Sequence, residues 1–308
     1  MPLLESLEIA LFTAAAISDL PQVALPSLRH FYLENLTNGC KDIFNHLTVP
    51  IAAFRSGSVR GINRHMINHH PHQVIENPPE SMLLLRQYCE TVLHKVTGDH
   101  GVIGIMQSPN TLAVTVDHTW DVLFEAWADE TKVFAFRYVY SLDAGNALDR
   151  MLSAAPRQLL TALRSLTISN EVRDDDSCSD WLLSLSELAG LETLHLKRCR
   201  GIIQPPAYHL YHPTTALFPK LRTLSLTDIA FGTRSTRFGQ TGVFADIYCM
   251  LDLRKREGSP LALLKIRNAR DLTAGDAACL CTLVDELEWD RKVSMSTSYS
   301  DFAEYCQW

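Results

Sequence analysis

The sequence predicts an α/β fold, an irregular leucine-rich-repeat solenoid with a curved parallel sheet inside and helices outside. Three observations support this prediction: one six-residue apolar pattern recurs, segments with helical apolar spacing separate its copies, and the residues between its apolar positions are mostly polar. Units of this kind bury their strands by stacking on their neighbours. The array is irregular because Leu163, Leu191, Leu221 and Leu261, which begin successive copies, are 28, 30 and 40 residues apart.

The repeated pattern is L-x-x-L-x-L, whose spacing of three and then two fits neither a regular helix nor a regular strand. Its fourth and sixth positions point from a short strand into the core, and the residues between them point to the opposite side. Further strands are predicted at 51–54 or 59–62 and at 112–116. The seven copies have the apolar positions Leu4, Leu7, Ile9; Leu28, Phe31, Leu33; Val133, Phe136, Tyr138; Leu163, Leu166, Ile168; Leu191, Leu194, Leu196; Leu221, Leu224, Leu226; and Leu261, Leu264, Ile266.

Return segments with helical apolar spacing are predicted to cover these strands. Residues 242–257 place Val243, Ile247 and Leu251 on one face, and Gly258 follows as a stop signal. The other predicted helical segments are 38–47, 81–98, 176–190 and 274–287.

These elements predict one leucine-rich-repeat domain over residues 1–290 and a C-terminal tail over 291–308. Residues 55–80 are predicted to form an irregular loop region, because they are rich in Gly, Pro, His and Asn. Residues 201–216 and 232–241 are predicted to be surface insertions.

Composition limits the possible functions. A hydrophobic content of 46% is enough for a sizeable core, and the net charge of −7 argues against nucleic-acid or anionic-membrane binding. No apolar run reaches the roughly 18 residues that a membrane span requires. The N-terminal segment contains Glu5 and Glu8 and has no basic region, so it makes a poor signal peptide. We therefore expect a cytoplasmic or nuclear protein.

Metal and catalytic motifs are weak in this sequence. The most metal-like group is the histidine cluster at 65–72, but its loop composition offers no scaffold to orient imidazoles. Cys279 and Cys281 are expected to be buried helix thiols, and the acidic run 174–176 is expected to be solvated or to cap a helix. Phosphate-loop, nucleophile-elbow and zinc-protease motifs are missing. The sequence therefore predicts no enzyme, no cofactor and no metal site.

Polar strand residues on the side opposite the core form the candidate partner-binding surface. Parallel stacking would place them on one concave face, which is the usual contact surface of such solenoids. Polarity alone is also expected of any exposed strand face, so position rather than identity carries this hypothesis. The candidate partner-binding residues are His30, Tyr32, Glu34, Arg137, His195, Lys197, Thr223, Ser225, Lys265 and Arg267.

Three basic residues of that set, Lys197, Lys265 and Arg267, belong to the C-terminal units of an acidic protein. They favour a partner protein with an acidic or phosphorylated segment, which arginine can bind through two parallel hydrogen bonds. The alternative is that these charges only keep the sheet face soluble.

Residues 25–50 and 251–290 resemble units of the large fungal F-box/leucine-rich-repeat proteins. Pro26 and Leu28-Arg29 begin a strand, and a short segment ending in His46-Leu47 and Pro50 follows, as in that family. The stretch ending in Glu288-Trp289-Asp290 is similar to the closing unit of those proteins.

The resemblance implies the substrate-binding repeat domain of an SCF ubiquitin ligase receptor. Because Met1 already lies in a repeat strand and no F-box is apparent, binding to the SCF adaptor is expected only if an F-box precedes this chain. The alternative is a free-standing scaffold or inhibitor with no role in ubiquitination.

Overall fold

The computed structural model describes residues 4–10, 21–36, 43, 46–48, 50, 58–62, 109–116, 121–139, 157–170, 188–199, 218–236 and 239–291. Its elements are, in chain order, β1 (Ser6–Ala10), β2 (Val23–Ala24), β3 (His30–Leu36), β4 (Leu47–Thr48), β5 (Ser58–Ile62), β6 (Thr111–Val116), β7 (Asp121–Ala128), β8 (Thr131–Val139), α1 (Arg157–Ala162), β9 (Ser165–Asn170), β10 (Thr193–Lys197), β11 (Thr223–Thr227), β12 (Thr233–Thr236), β13 (Gly239–Gly242), α2 (Val243–Arg256), β14 (Leu261–Arg267), α3 (Ala274–Cys281) and β15 (Val284–Trp289).

Eleven of these strands form one sheet in the order β1-β3-β5-β8-β7-β6-β9-β10-β11-β14-β15. Neighbouring strands in this sheet are parallel except at β7, which runs antiparallel to both β6 and β8. Two small sheets, β2 with β4 and β12 with β13, accompany it. The protein is therefore a mixed α/β structure with a mostly parallel sheet, which confirms the α/β class and the parallel pairing of repeat strands.

The apolar positions of the repeat pattern align across neighbouring strands. Leu194 pairs in register with Leu166 on one side and Leu224 on the other, and Leu224 pairs with Leu264. All four side chains are buried, with 4% exposure or less. In β1, Leu7 and Ile9 are only partly buried, because β1 is an edge strand with a sheet neighbour on one side alone.

A left-handed backbone residue follows each of the last four strands of the sheet. Its φ is 54° at Arg198, 57° at Asp228, 51° at Asn268 and 56° at Arg291. The next residue is buried in three of these units, as Cys199, Ile229 and Ala269. The chain thus leaves successive strands through the same turn, which directs a side chain back into the core.

Helix α2 confirms the return segment predicted at 242–257. Val243, Ile247 and Leu251 are buried as expected, and the helix is followed by Gly258, whose φ of 74° suits glycine. Arg254, near its C-terminal end, is 1% exposed and donates from its two terminal nitrogens to the carbonyl oxygens of Phe218 (2.8 Å) and Leu221 (2.7 Å).

The prediction of a helical segment through residue 287 is wrong at its C-terminal end. Helix α3 begins with a capping box between Thr273 and Asp276 and ends at Cys281, and strand β15 follows. The reason is visible in the chain: Val284-x-x-Leu287-x-Trp289 is another copy of the repeat pattern. Its apolar residues pair in register with Leu261, Leu264 and Ile266 of β14.

The predicted loop regions contain strands where the structure describes them. Strand β5 lies within 55–80 and pairs with β3 and β8, which confirms the strand predicted at 59–62. The insertion at 232–241 contains most of the antiparallel pair β12–β13. Strand β6 confirms the strand predicted at 112–116.

Several predictions fall on residues outside the described ranges. These are the helix at 81–98, most of the helices at 38–47 and 176–190, the alternative strand at 51–54, the histidine cluster, the acidic run, the insertion at 201–216 and, apart from Arg291, the tail. The expectation of buried thiols in α3 is wrong, because Cys279 is half-buried and Cys281 is exposed. Within the described ranges, no helix is long and apolar enough to cross a membrane.

Candidate partner-binding surface

The polar face of the sheet is the side opposite its apolar core, and its side chains form three rows across six to seven neighbouring strands. The strand pairing brings these residues together, because register partners share a face. The first row is Trp127, Thr111, Ser165, Thr193, Thr223, Leu263 and Glu286. The second is Glu125, Ala113, Thr167, His195, Ser225, Lys265 and Glu288. The third is Leu123, Thr115, Ser169, Lys197, Thr227 and Arg267.

The structure brings together the predicted site residues of the C-terminal units. His195, Ser225 and Lys265 are successive members of the second row, and Lys197 and Arg267 belong to the third. Thr223 lies in the first row. These six residues therefore occupy one continuous region of β10, β11 and β14.

The predicted residues of the N-terminal units lie far from that region. His30 and Tyr32 are on β3, six strand spacings from β10, or about 29 Å at the usual separation of strands. Glu34 of β3 pairs in register with Arg60 of β5, and Arg60 pairs with Arg137 of β8. Arg137 in turn pairs in register with Leu123, so the third row connects this group to the C-terminal group across the sheet.

Exposure differs among the residues of the C-terminal group. Arg267 is exposed, and Lys197, Thr223 and Lys265 are half-buried. Ser225 is only 8% exposed, because the larger side chains on the neighbouring strands flank it, and it adds little contact area. The accessible cations of the third row dominate this end of the face.

Strand β15 alters the charge pattern that the sequence analysis expected. It adds Glu286 and Glu288 to the polar face, and Glu288 Oε2 lies 3.2 Å from Lys265 Nζ. Lys265 therefore already has an ion-pair partner within the sheet. Within the described ranges Lys197 and Arg267 have no such ion pair, so they are the cations best placed to bind an external anion.

His195 lies in the second row, on β10 at one side of this group, and is neutral at physiological pH. Burial of the imidazole, and in addition the charge of Lys265, lower the pKa of His195 below its ordinary value of 6.5. The imidazole offers the partner one hydrogen-bond donor and one acceptor.

A cluster of side chains on the β7–β8 hairpin was not predicted from the sequence. Trp127 is half-buried in the first row, and Lys132 Nζ lies 5.9 Å from the centre of its ring and 2.5 Å from Glu125 Oε1. The alternation of buried Val122, Phe124 and Ala126 with these more exposed residues is a strand signal in the sequence. The spacing of Val122, Phe124 and Ala126 differs from L-x-x-L-x-L, so the repeat pattern did not predict this strand.

Among the described residues, no group of three or more His, Cys, Asp or Glu side chains is arranged to hold a metal ion. The face offers hydroxyl, imidazole, ammonium, guanidinium and indole groups spread over many strands. Such an arrangement suits contact with a large partner surface.

Comparisons with protein-family models, with curated proteins and with solved structures find no match for this chain.

Proposed function

We propose that this chain is a protein-recognition domain of the leucine-rich-repeat type, which binds its partner across the polar face. The observation that carries the proposal is the continuity of the three rows over β7, β6, β9, β10, β11 and β14. A broad face of polar side chains on hydrogen-bonded strands is preorganised, so little conformational entropy is lost on binding.

Contacts between successive units support the assignment to a leucine-rich-repeat solenoid. Leu191, Leu194, Leu196 and Cys199 match the extended repeat pattern, in which Asn or Cys occupies the ninth position. The Sγ of Cys199 donates to the carbonyl oxygen of Ile168 in the preceding unit (3.3 Å) and to that of Lys197 (3.1 Å). The buried Ile229 and Ala269 occupy the same position in the next two units.

The partner that this face fits is a protein with an acidic or phosphorylated segment. Lys197 and Arg267 supply positive charge at the same end of the rows, while Lys265 is already paired with Glu288. Charge-assisted bonds from arginine and lysine to carboxylate or phosphate are among the stronger hydrogen bonds in proteins.

The resemblance to fungal F-box proteins extends the proposal to a cellular role. We infer that the domain selects substrates for an SCF ubiquitin ligase in the cytoplasm or nucleus, with binding to the SCF adaptor expected only if an F-box precedes this chain. Co-purification of the SCF adaptor with the protein would support this role. Stable recovery of a partner without the adaptor favours the free-standing scaffold.

The central test is capture of the partner by a tagged protein from its own cells. Lys197→Ala with Arg267→Ala should remove the partner, most strongly at low salt, where charge attraction is least screened. The control is Lys220→Ala with Arg222→Ala, because these exposed residues precede β11 and lie off the polar face. Unchanged capture by the first variant, together with loss of capture on changing residues 201–216, would overturn the proposal.

A further inference from the structure

Small side chains occupy the strip of the polar face between β7 and β10, which we call the trough. Its floor is made by β6 and β9, whose polar-face residues are all small: Thr111, Ala113, Thr115, Ser165, Thr167 and Ser169. The adjoining strands carry larger side chains, with Trp127, Glu125 and Leu123 on β7 and His195 and Lys197 on β10. Three strand spacings separate β7 from β10, which is about 14 Å.

The two walls of the trough differ in chemical character. On β7, Lys132 pairs with Glu125 and also lies near the Trp127 ring, so this wall presents an aromatic surface with balanced charge. On β10, the lowered pKa of His195 keeps it neutral, and Lys197 supplies the positive charge. The trough is therefore aromatic at one corner and cationic at the diagonally opposite corner.

We propose that this trough binds one extended segment of the partner, with an apolar side chain against Trp127 and an acidic side chain at Lys197. The inference rests on the proposed function and specifies the partner. The small floor residues let a backbone approach the sheet closely. The hydroxyl groups of the half-buried floor residues can hydrogen-bond to its amide and carbonyl groups, whereas the Oγ of Ser169 is buried. Tryptophan anchors flanked by small neighbours are a recurrent source of binding energy at protein interfaces.

The geometry fixes the spacing of the recognised residues. Trp127 is in the first row and Lys197 is in the third, four residues further along the strand direction, or about 13 Å. Combined with the 14 Å across the trough, the diagonal is about 19 Å, which an extended chain spans in about six residues at 3.3 Å each. The predicted motif is a large apolar residue and an Asp or Glu about six positions apart.

The test is selection of random dodecapeptides on the full chain by display. Enriched peptides should contain the two residues at the predicted separation. Trp127→Ser should weaken their binding at least about tenfold and remove the preference for the apolar residue while leaving the acidic one. Lys197→Glu should instead select peptides with Lys or Arg at the former acidic position, a reversal that mere damage to the fold cannot produce.

The control variant is Arg222→Glu. It makes the same change of charge at the residue just before β11, outside the trough. It should leave the selected peptides unchanged. Failure to enrich any peptide, enrichment of apolar residues at helical spacing, or binding indifferent to Trp127→Ser would overturn the extended-segment assignment. In those cases partner capture that still depends on Lys197 and Arg267 would leave the proposed function standing.

Discussion

Arg254 illustrates how a charged residue can belong to the core. Its guanidinium is almost completely buried and donates to the carbonyl oxygens of Phe218 and Leu221, in the turn that leads into β11. The Phe218 oxygen also accepts from the Leu221 N–H within the turn (2.9 Å), and the guanidinium adds a charged donor to each of the two carbonyl oxygens. Arg254 therefore holds the turn that precedes β11 against helix α2.

We expect Arg254→Met to destabilise the protein by about 2–4 kcal/mol, because it removes two buried charge-assisted hydrogen bonds to the turn. Urea denaturation measures this loss. The matched change Arg256→Met on the exposed side of the same helix should cost less than about 1 kcal/mol, since it removes only a surface ion pair with Asp252. Equal losses in the two variants would contradict the role assigned to Arg254.

His195 should make the stability of the protein depend on pH. Its folded-state pKa is lowered below 6.5, chiefly by burial and then by Lys265, so the unfolded chain binds the proton more readily. The free energy of unfolding should therefore fall as pH drops below about 6.5, until the folded pKa is passed. His195→Gln should show a smaller fall over the same range in denaturation at pH 8 and pH 5.5.

The contribution of Lys265 to the lowered pKa of His195 can be measured separately. Lys265→Gln removes the nearby positive charge and leaves Glu288 unpaired, so the pKa of His195 should rise in an NMR titration of the imidazole. An unchanged pKa would show that burial alone sets its value.

At the scale of the elements, strand β11 gives a direct check of the register. Leu224 is 1% exposed and Thr223 is half-buried on the polar face. Leu224→Ala should cost about 2–5 kcal/mol through lost burial and a cavity. Thr223→Ala should change stability by about 0.5 kcal/mol or less. Similar large losses at both positions in thermal or urea denaturation would show that the strand faces are assigned wrongly.

Strand positions were largely predictable, because burial on one face imposes a fixed apolar spacing. The copies around Leu166, Leu194, Leu224 and Leu264 follow that rule closely. Strand β15 was missed because its apolar residues directly continue those of α3, and spacing alone cannot show where a helix gives way to a strand. Only its pairing with β14 makes the boundary clear.

The candidate site was less predictable than the fold. Sequence position identified the basic residues, but the ion pair of Lys265 depends on Glu288 of a different strand. Trp127 reaches the polar face on β7, whose alternating apolar residues do not follow the repeat pattern. Contacts between strands distant in sequence decide both features, and no local pattern contains that information.

At the scale of the whole molecule, the sheet joins strands from both halves of the chain. The strand order places β6, β7 and β8 between β5 and β9. Going across the sheet from β5 to β9, these three strands occur in the order β8, β7, β6, the reverse of their order in the chain. The N-terminal repeat strands thus meet the C-terminal ones only through the antiparallel group. Asn110 helps to hold that group together, since its side chain bonds to Asp129 in the hairpin turn and its carbonyl oxygen accepts from Arg164 and Ser165.

The hairpin also has a consequence for the order in which the protein folds. Strands β7 and β8 are joined by only two residues, whereas pairing Thr193 with Thr223 requires closure of a segment of 30 residues. Short closures form in microseconds and lose less chain entropy than long ones. Pulsed hydrogen exchange during refolding should therefore protect the amides of β7 and β8 before those of β10 and β11. The one antiparallel strand of the main sheet would then serve as the template on which its parallel strands assemble.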